Sequence, residues 1–192
     1  MNKNIVLCGV GGQGTVLASK LIAAAAMKKG LGVMSAETIG MAQRGGSVFG
    51  NVRIGSDLFS PMIGKGQADI IIGFECGETV RMLPYLKKGG YVVSSVRSIM
   101  PTTAALGDTG YSAQPMTEYL KNNVAEGRLS LVDTLEAEKE LKSSKVMNLV
   151  LLGAAVRTGV TGLSEDDIIS ALPDAVKPEF IELNTKAFFF TK

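Results

Sequence analysis

Apolar runs and helical patterns alternate along most of the chain. Runs rich in valine, isoleucine and leucine predict strands, and segments with alanine and leucine at helical spacing predict helices between them. The predicted strands are residues 4–9, 31–37, 47–55, 69–74, 91–96 and 130–135, and the predicted helices are 15–29, 78–86, a stretch around 116–126 and most of 137–191.

Residues 47–55 differ from the other predicted strands because apolar and polar side chains alternate along them. Alternation is typical of antiparallel strands, whereas the fully apolar runs fit buried parallel strands. We therefore expect residues 47–55 to belong to an antiparallel pair near the sheet edge. Turns are expected at 158–162, Pro173 and Pro178. The order of elements predicts one domain over residues 1–192, with a Rossmann-like three-layer α/β fold whose mostly parallel sheet is closed by C-terminal helices.

The composition excludes several kinds of chemistry. The chain has no histidine, which rules out Ser-His-Asp and Cys-His catalytic devices and any metal site built on imidazole. Its two cysteines, Cys8 and Cys76, lie far apart in sequence, so the chain alone cannot hold an iron–sulfur cluster or a structural zinc. We therefore predict no catalytic residue and no metal ligand in this chain.

Charge and hydropathy argue against nucleic acid and membrane as partners. The net charge is +2, and the basic residues form no stripe interleaved with aromatic side chains. The start, MNKNIVLCGV, lacks the long apolar region of a signal peptide, and the apolar run at 146–156 is shorter than the roughly 20 residues of a membrane span. Together with the unpaired cysteines, these features predict a cytoplasmic protein.

A glycine-rich turn separates the first predicted strand from the first predicted helix. Gly9, Gly11 and Gly14 satisfy the G-x-G-x-x-G pattern in that context, with Gly12 and Gln13 between them. In one interpretation the turn brings backbone amides and a helix N-terminus close to an anionic ligand. In the other, the glycines make a tight turn and let the helix pack closely on the sheet.

Glu37 is the candidate for a ribose-binding carboxylate. It follows Gly14 by 23 residues at the end of the second predicted strand, where nicotinamide-binding folds present an acidic residue. This spacing favours NAD. After Glu37, a glycine-rich loop replaces the ordinary continuation into a packed helix, which weakens the NAD interpretation.

The loop after Glu37 contains an arginine between a glutamine and two glycines. The segment Gln43, Arg44, Gly45, Gly46 and Ser47 can present a guanidinium group and backbone amides to a phosphate or a carboxylate. The alternative is a solvated arginine in a surface turn. Composition alone does not decide between them.

One further pattern is rejected. The segment GDTG at 107–110, followed by Asn122 and Asn123, is similar to the sequence that holds magnesium and thiamine diphosphate in other proteins, but its third residue and its spacing differ. We interpret Asp108 as a turn residue and the two asparagines as a helix end.

Four segments together resemble one protein family, the gamma subunits and gamma domains of the 2-oxoacid:ferredoxin oxidoreductases. Within it they are most similar to the small subunits of the indolepyruvate-type enzymes. The similarity covers residues 3–190, and its most specific part is the second segment. The segments are GVGGQG (9–14), AETIGMAQRGGSV (36–48), SPMIGKGQADIIIGFE (60–75) and KVMNLVLLGAAVRTG (145–159).

The resemblance implies a role as one component of a larger enzyme. Such enzymes convert a 2-oxoacid, coenzyme A and oxidised ferredoxin into an acyl-CoA, carbon dioxide and reduced ferredoxin. The resemblance assigns thiamine diphosphate, magnesium and the iron–sulfur clusters to a larger partner subunit, with coenzyme A as co-substrate. The glycine-rich loops of the present chain are then expected to face an interface and an anionic ligand.

Two other functions compete with this interpretation. A free-standing NAD- or FAD-dependent oxidoreductase is favoured by the G-x-G-x-x-G pattern and Glu37. An ATP-using adenylating protein can have a similar glycine loop, although the CxxC zinc pairs often found in such proteins are missing.

Overall fold

A six-stranded mixed sheet forms the centre of the structure. The computed structural model describes residues 2–37, 45–100 and 110–191. The strands are β1 (Lys3–Val10), β2 (Val33–Glu37), β3 (Ser47–Ile54), β4 (Ala68–Gly73), β5 (Leu86–Ser95) and β6 (Leu129–Val132). The helices are α1 (Thr15–Lys28), α2 (Cys76–Met82), α3 (Ala113–Asn123), α4 (Leu135–Glu140), α5 (Met147–Arg157), α6 (Glu165–Ala175) and α7 (Ile181–Phe188).

The strand order is β2-β3-β1-β4-β5-β6. The neighbours β1 and β4, β4 and β5, and β5 and β6 are parallel. In contrast, β3 is antiparallel to both β1 and β2. The predicted α/β class with a mostly parallel sheet is therefore confirmed, and so is the antiparallel pairing of residues 47–55 near the sheet edge.

Helices cover both faces of the sheet, because alternate residues of each buried strand point to opposite sides. On one face, Ile5 and Leu7 of β1 pack with residues of α1, α5, α6 and α7 in the larger core. On the other face, Val6 and Cys8 of the same strand belong to a smaller core that includes Met82 of α2. The two cores, one on each side of the sheet, make the three layers that the sequence predicted.

The most apolar run of the sequence becomes α5, which is buried between the sheet and α7. Residues Leu149 to Leu152 are completely buried. A Cβ on Gly153 would lie 2.0 Å from the carbonyl oxygen of Phe188, so glycine allows α7 to approach α5 this closely. Within the described ranges, no helix combines the length and the apolarity needed to cross a bilayer.

Several element boundaries and one turn differ from the prediction. β5 begins at Leu86, whereas the sequence predicted a helix as far as residue 86; a 3-10 turn, Leu83–Tyr85, separates α2 from this strand. The turn predicted at Pro173 is wrong, because Pro173 lies within α6. Proline near a helix end removes one backbone hydrogen bond, and the burial of Ile168 and Leu172 outweighs that loss. Pro178 begins a 3-10 turn, as its residue type favours.

The N-terminus of α6 is fixed to the C-terminal end of α1. The Ser164 hydroxyl accepts a hydrogen bond from the amide of Asp167 at 3.2 Å, and the Asp167 carboxylate accepts one from the amide of Ser164 at 2.8 Å. The Lys29 ammonium lies 2.7 Å from the same carboxylate. The hydrogen bond from Lys29 lowers the pKa of Asp167, with a further contribution from the Ser164 amide. The stability that this group contributes is therefore present above its ordinary pKa and is lost as the pH falls through the lowered value.

We expect Ser164→Ala to lower the free energy of unfolding by about 1 kcal/mol, since it removes an N-cap acceptor. Ser112, the N-cap residue of α3, makes no capping hydrogen bond with its side chain and is the matched control. Ser112→Ala should change stability by less than about 0.5 kcal/mol. Urea unfolding followed by circular dichroism measures both, and equal losses would contradict the role given to Ser164.

Candidate functional site

The two glycine-rich stretches of the sequence lie side by side at one edge of the sheet. The ladder between β1 and β3 ends with Val10 opposite Ser47. Just beyond it, the Gly11 amide donates to the Gly46 carbonyl at 2.9 Å, and the Gly45 amide donates to the Gly11 carbonyl at 3.4 Å. The structure thus brings together the turn at 9–14 and the last residues of the predicted arginine loop, Gly45 to Ser47. Gln43 and Arg44 lie outside the described residues.

The glycines of the turn have different physical roles. A Cβ on Gly9 would lie 2.8 Å from the Phe74 Cβ, so Gly9 serves close packing between strands. Gly14, the N-cap residue of α1, has φ of 85° and contacts the buried Asn148 of α5. Gly12 has φ of 100°, and nothing lies within 4 Å of the position that its Cβ would take. Gly12 is therefore needed for its backbone conformation and leaves its outer face open.

Gln13 joins β1 to β4. Its Oε1 accepts a hydrogen bond from the Val10 amide at 2.7 Å, and its Nε2 donates to the Phe74 carbonyl at 3.0 Å. The helix that follows β1, α1, packs on one face of the sheet, and the helix that follows β4, α2, packs on the other. In open α/β sheets, ligands usually bind in the crevice between two such strand ends. The Gln13 side chain occupies the gap between the strand ends and is engaged with backbone on both sides.

An open cavity of about 460 Å³ adjoins the turn. Gly11, Gly12 and Gly14 line it together with the first turn of α1, whose N-cap residue has no side chain to cap the helix amides. Lys20, one turn further along α1, lines the same cavity. Among the described residues its ammonium has no ion-pair partner. Free amides, the positive end of a helix and a lysine are suited to an anionic group.

Glu37 lies away from this cavity. It is the last residue of β2, as predicted, but β3 separates β2 from β1. Glu37 is opposite Gly50, which is itself opposite Leu7 of β1, three residues before the end of that strand. The Glu37 backbone therefore lies about 10 Å from the end of β1 along the strand direction and about 10 Å from β1 across the sheet. Its carboxylate accepts a hydrogen bond from the Ser19 hydroxyl of α1, so Glu37 fastens β2 to that helix.

Ser47 is also engaged with protein groups. Its hydroxyl donates to the Glu78 carboxylate of α2 at 2.7 Å, and Arg81 contacts both side chains. The Gly45 amide is bound to Gly11, as described above. Of the backbone amides predicted to meet an anion, that of Gly45 is therefore bonded within the fold. Arg81 is a cation at this edge that sequence reasoning missed.

A buried carboxylate at the start of α2 was missed as well. Glu75 is 1% exposed, and its Oε2 accepts a hydrogen bond from the Glu78 amide at 2.7 Å. Its Oε1 accepts from the Tyr111 hydroxyl at 2.9 Å and from the Ile99 amide at 3.3 Å. Burial, together with the Glu75 carboxylate, raises the pKa of Tyr111 above its ordinary value. Glu75 thus ties segments that are distant in sequence to the end of β4.

Comparison with known proteins identifies the family. The family model described as pyruvate ferredoxin/flavodoxin oxidoreductase matches residues 4–189. The chain belongs to this family. The subunit IorB of indolepyruvate oxidoreductase from Thermococcus kodakarensis is 38% identical over 188 residues, which cover 96% of this chain and 92% of that protein.

Solved structures share this fold. The gamma subunit of a keto/oxoacid ferredoxin oxidoreductase from Geobacter sulfurreducens PCA aligns with a TM-score of 0.65 at 26% identity, covering 97% of this chain and 94% of that one. A chain of 2-oxoglutarate:ferredoxin oxidoreductase from Magnetococcus marinus aligns with a TM-score of 0.67 at 21% identity, covering 97% of this chain but 30% of that one. The same fold therefore also occurs within a longer polypeptide.

The cysteines of this oxidoreductase-family chain are protonated structural residues. Cys8 is completely buried within β1, and burial raises the pKa of its thiol far above the ordinary value. Burial, with a smaller contribution from Glu75, raises the pKa of Cys76 to about 12. Neither thiol is a nucleophile at neutral pH, since thiolate is the reactive form. Within the ranges that the structure describes, no three acidic or cysteine side chains cluster as metal ligands would.

We expect Gln13→Ala to lower the free energy of unfolding by about 1–3 kcal/mol, because it leaves a buried amide and a buried carbonyl without partners. Gln114, whose amide donates to Glu118 on the exposed surface of α3, provides the control. Gln114→Ala should cost less than about 0.5 kcal/mol. If Gln13 instead served only to contact a ligand, the unfolding curves of both variants, measured in urea, would match that of the wild type.

Proposed function

We propose that this chain is the small, non-catalytic subunit of a 2-oxoacid:ferredoxin oxidoreductase of the indolepyruvate type. The enzyme oxidatively decarboxylates an aryl 2-oxoacid with coenzyme A, giving an acyl-CoA and carbon dioxide, and passes the electrons to ferredoxin. The observation that carries the proposal is the match to IorB over 96% of the chain at 38% identity. The chain acts as one domain over residues 1–192 in a cytoplasmic heteromer.

The redox and thiamine chemistry belongs to a larger partner subunit. The described residues fit neither an iron–sulfur cluster nor a metal-bound pyrophosphate, because both thiols are buried and protonated and no acidic cluster is available. Thiamine diphosphate, magnesium and the iron–sulfur clusters are accordingly assigned to that partner, and ferredoxin is reached through the complex. No step of the reaction is assigned to a side chain of the present subunit.

Coenzyme A is an anionic co-substrate that the glycine turn is suited to contact. The amides at Gly12 and at the start of α1, together with Lys20, adjoin one open cavity. In the sequence, Gln43 and Arg44 directly precede Gly45 and Gly46. We propose that a phosphate group of coenzyme A, at the interface with the partner, is the anion. Contacts of Gly9, Gln13 and Ser47 with other parts of the protein hold the turn in place.

An exposed aromatic residue supports a partner surface at the opposite ends of the strands from the glycine turn, since β3 runs from Ser47 beside the turn to Ile54 opposite Lys3. Phe59 is 92% exposed in the segment that follows β3. That segment is held in place, since the Arg53 guanidinium donates to the Ser60 carbonyl at 2.9 Å and the Ser60 hydroxyl accepts from the Met62 amide at 3.1 Å. A large apolar side chain on a fixed segment is typical of the anchors at protein interfaces.

The native complex tests this function. Affinity purification of the chain from its source cells should recover a larger subunit containing thiamine diphosphate and iron, and the complex should reduce ferredoxin with indolepyruvate and coenzyme A. The chain by itself should be colourless and inactive. Recovery of the chain alone with bound nicotinamide or flavin, or with pyrophosphate-exchange activity, would contradict the proposal.

Variants of exposed residues in the same preparation locate the partner surface. Phe59→Ala should weaken assembly by about thirty-fold, the effect of losing an aromatic anchor worth about 2 kcal/mol. Met27, which is 66% exposed on α1, is the control, and Met27→Ala should assemble normally. Equal assembly of both variants would place the interface elsewhere.

Replacement of Arg44 tests the anion site. Because a charge-assisted hydrogen bond contributes roughly 1.5–3 kcal/mol, Arg44→Ala in the assembled enzyme should raise the KM for coenzyme A by about ten- to a hundred-fold. Arg44→Lys should restore the KM only in part, since lysine keeps the charge but lacks the planar guanidinium group. Steady-state kinetics at varied coenzyme A provides the measurement.

An exposed arginine at the opposite ends of the strands controls for loss of charge alone. Arg128 immediately precedes β6, and Arg128→Ala should leave the KM for coenzyme A unchanged. Circular dichroism checks that every variant is folded. Wild-type kinetics in Arg44→Ala would mean that this arginine is a solvated turn residue.

A further inference from the structure

A second, more enclosed cavity of about 270 Å³ lies in the helical layer beside α1. Its apolar wall consists of Leu17 of α1, Val176 just after α6, and Leu183 of α7. Leu17 also lines the cavity at the glycine turn, so the two spaces are neighbours separated by that side chain. Nothing in the proposed function uses this second cavity.

The rim of this cavity is cationic. Lys145 and Lys177 both line it, and among the described residues neither ammonium has an ion-pair partner. Phe180, 47% exposed, contributes an aromatic ring to the same rim. The buried Asn184 side chain donates to the Phe180 carbonyl at 2.7 Å and so fixes the backbone of that residue.

The size of the cavity limits what it can hold. An apolar cavity of about 150 Å³ is enough for benzene, whereas pockets for drug-sized molecules begin at about 300 Å³. A molecule with one or two rings therefore fits. A cation would be repelled by the two lysines, and a neutral apolar molecule would leave both without a counter-charge.

We propose that this cavity binds a small aromatic carboxylic acid, with its rings against Leu17, Val176 and Leu183 and its carboxylate between Lys145 and Lys177. Removal of the aromatic rings from water stabilises the complex, and the carboxylate forms charge-assisted hydrogen bonds with the two lysines at the rim. Binding here is independent of the glycine turn and of the larger subunit. It can therefore succeed or fail separately from the proposed function.

Titration of the full chain with naphthalene-2-carboxylate tests the proposal, because this acid has two rings and is fluorescent. The chain contains no tryptophan to interfere with its signal. We expect saturable binding with a Kd on the order of 0.1 mM, weakened by added salt. Naphthalene-2-carboxamide, which has nearly the same shape and no charge, should bind at least three-fold more weakly.

Variants assign the site within the molecule. Lys145→Gln and Lys177→Gln should each weaken binding of the acid by about three- to ten-fold without changing binding of the carboxamide. The exposed Lys121 of α3 is the control, and Lys121→Gln should bind like the wild type. Leu183→Trp, once circular dichroism has shown that the variant is folded, should abolish binding because the larger side chain fills the cavity.

Three results would overturn the proposal. They are equal affinity for acid and carboxamide, unchanged affinity in both lysine variants, and no binding of the acid up to millimolar concentration. The lysine variants are surface changes, so this test does not depend on whether Leu183→Trp folds.

Discussion

The antiparallel insertion of β3 between β1 and β2 is the constraint on which the rest of this fold depends. The pairing runs over the whole of β1, from Lys3 opposite Ile54 to Val10 opposite Ser47. This register places Gly45 and Gly46 beside Gly11, where they exchange backbone hydrogen bonds with the turn. It also moves β2 one strand away from β1. One pairing therefore both joins the two glycine-rich stretches and separates Glu37 from them.

The separation has a functional consequence. In dinucleotide-binding folds the acidic residue reaches the ribose because the second strand lies next to the first. Here Glu37 is two strands from the turn and bound to Ser19, so the feature that favoured NAD in the sequence loses its geometric basis. The glycine turn keeps its ability to meet an anion, since the start of α1 and Lys20 adjoin an open cavity.

The same edge of the sheet is closed where a ligand crevice usually opens. Gln13 spans the ends of β1 and β4, and Glu75 connects the start of α2 to Ile99 and Tyr111. The polar atoms of these side chains are hydrogen-bonded to protein groups and are not free to bind a substrate. A chain organised in this way is suited to present a shaped surface to a partner, as the proposed function requires.

The sequence by itself determined the elements, the α/β class and the family. Strand and helix patterns depend on local periodicity, and the glycine turn depends on backbone conformations that Gly12 and Gly14 adopt with little strain. The roles of Gln13, Ser47 and Glu37, in contrast, were decided only by the tertiary structure. Each depends on which strands are neighbours and in which register, and those pairings join residues that are a dozen or more positions apart. The same holds for Glu75 and the cavity beside Leu17, whose partners come from separate elements brought together only by packing.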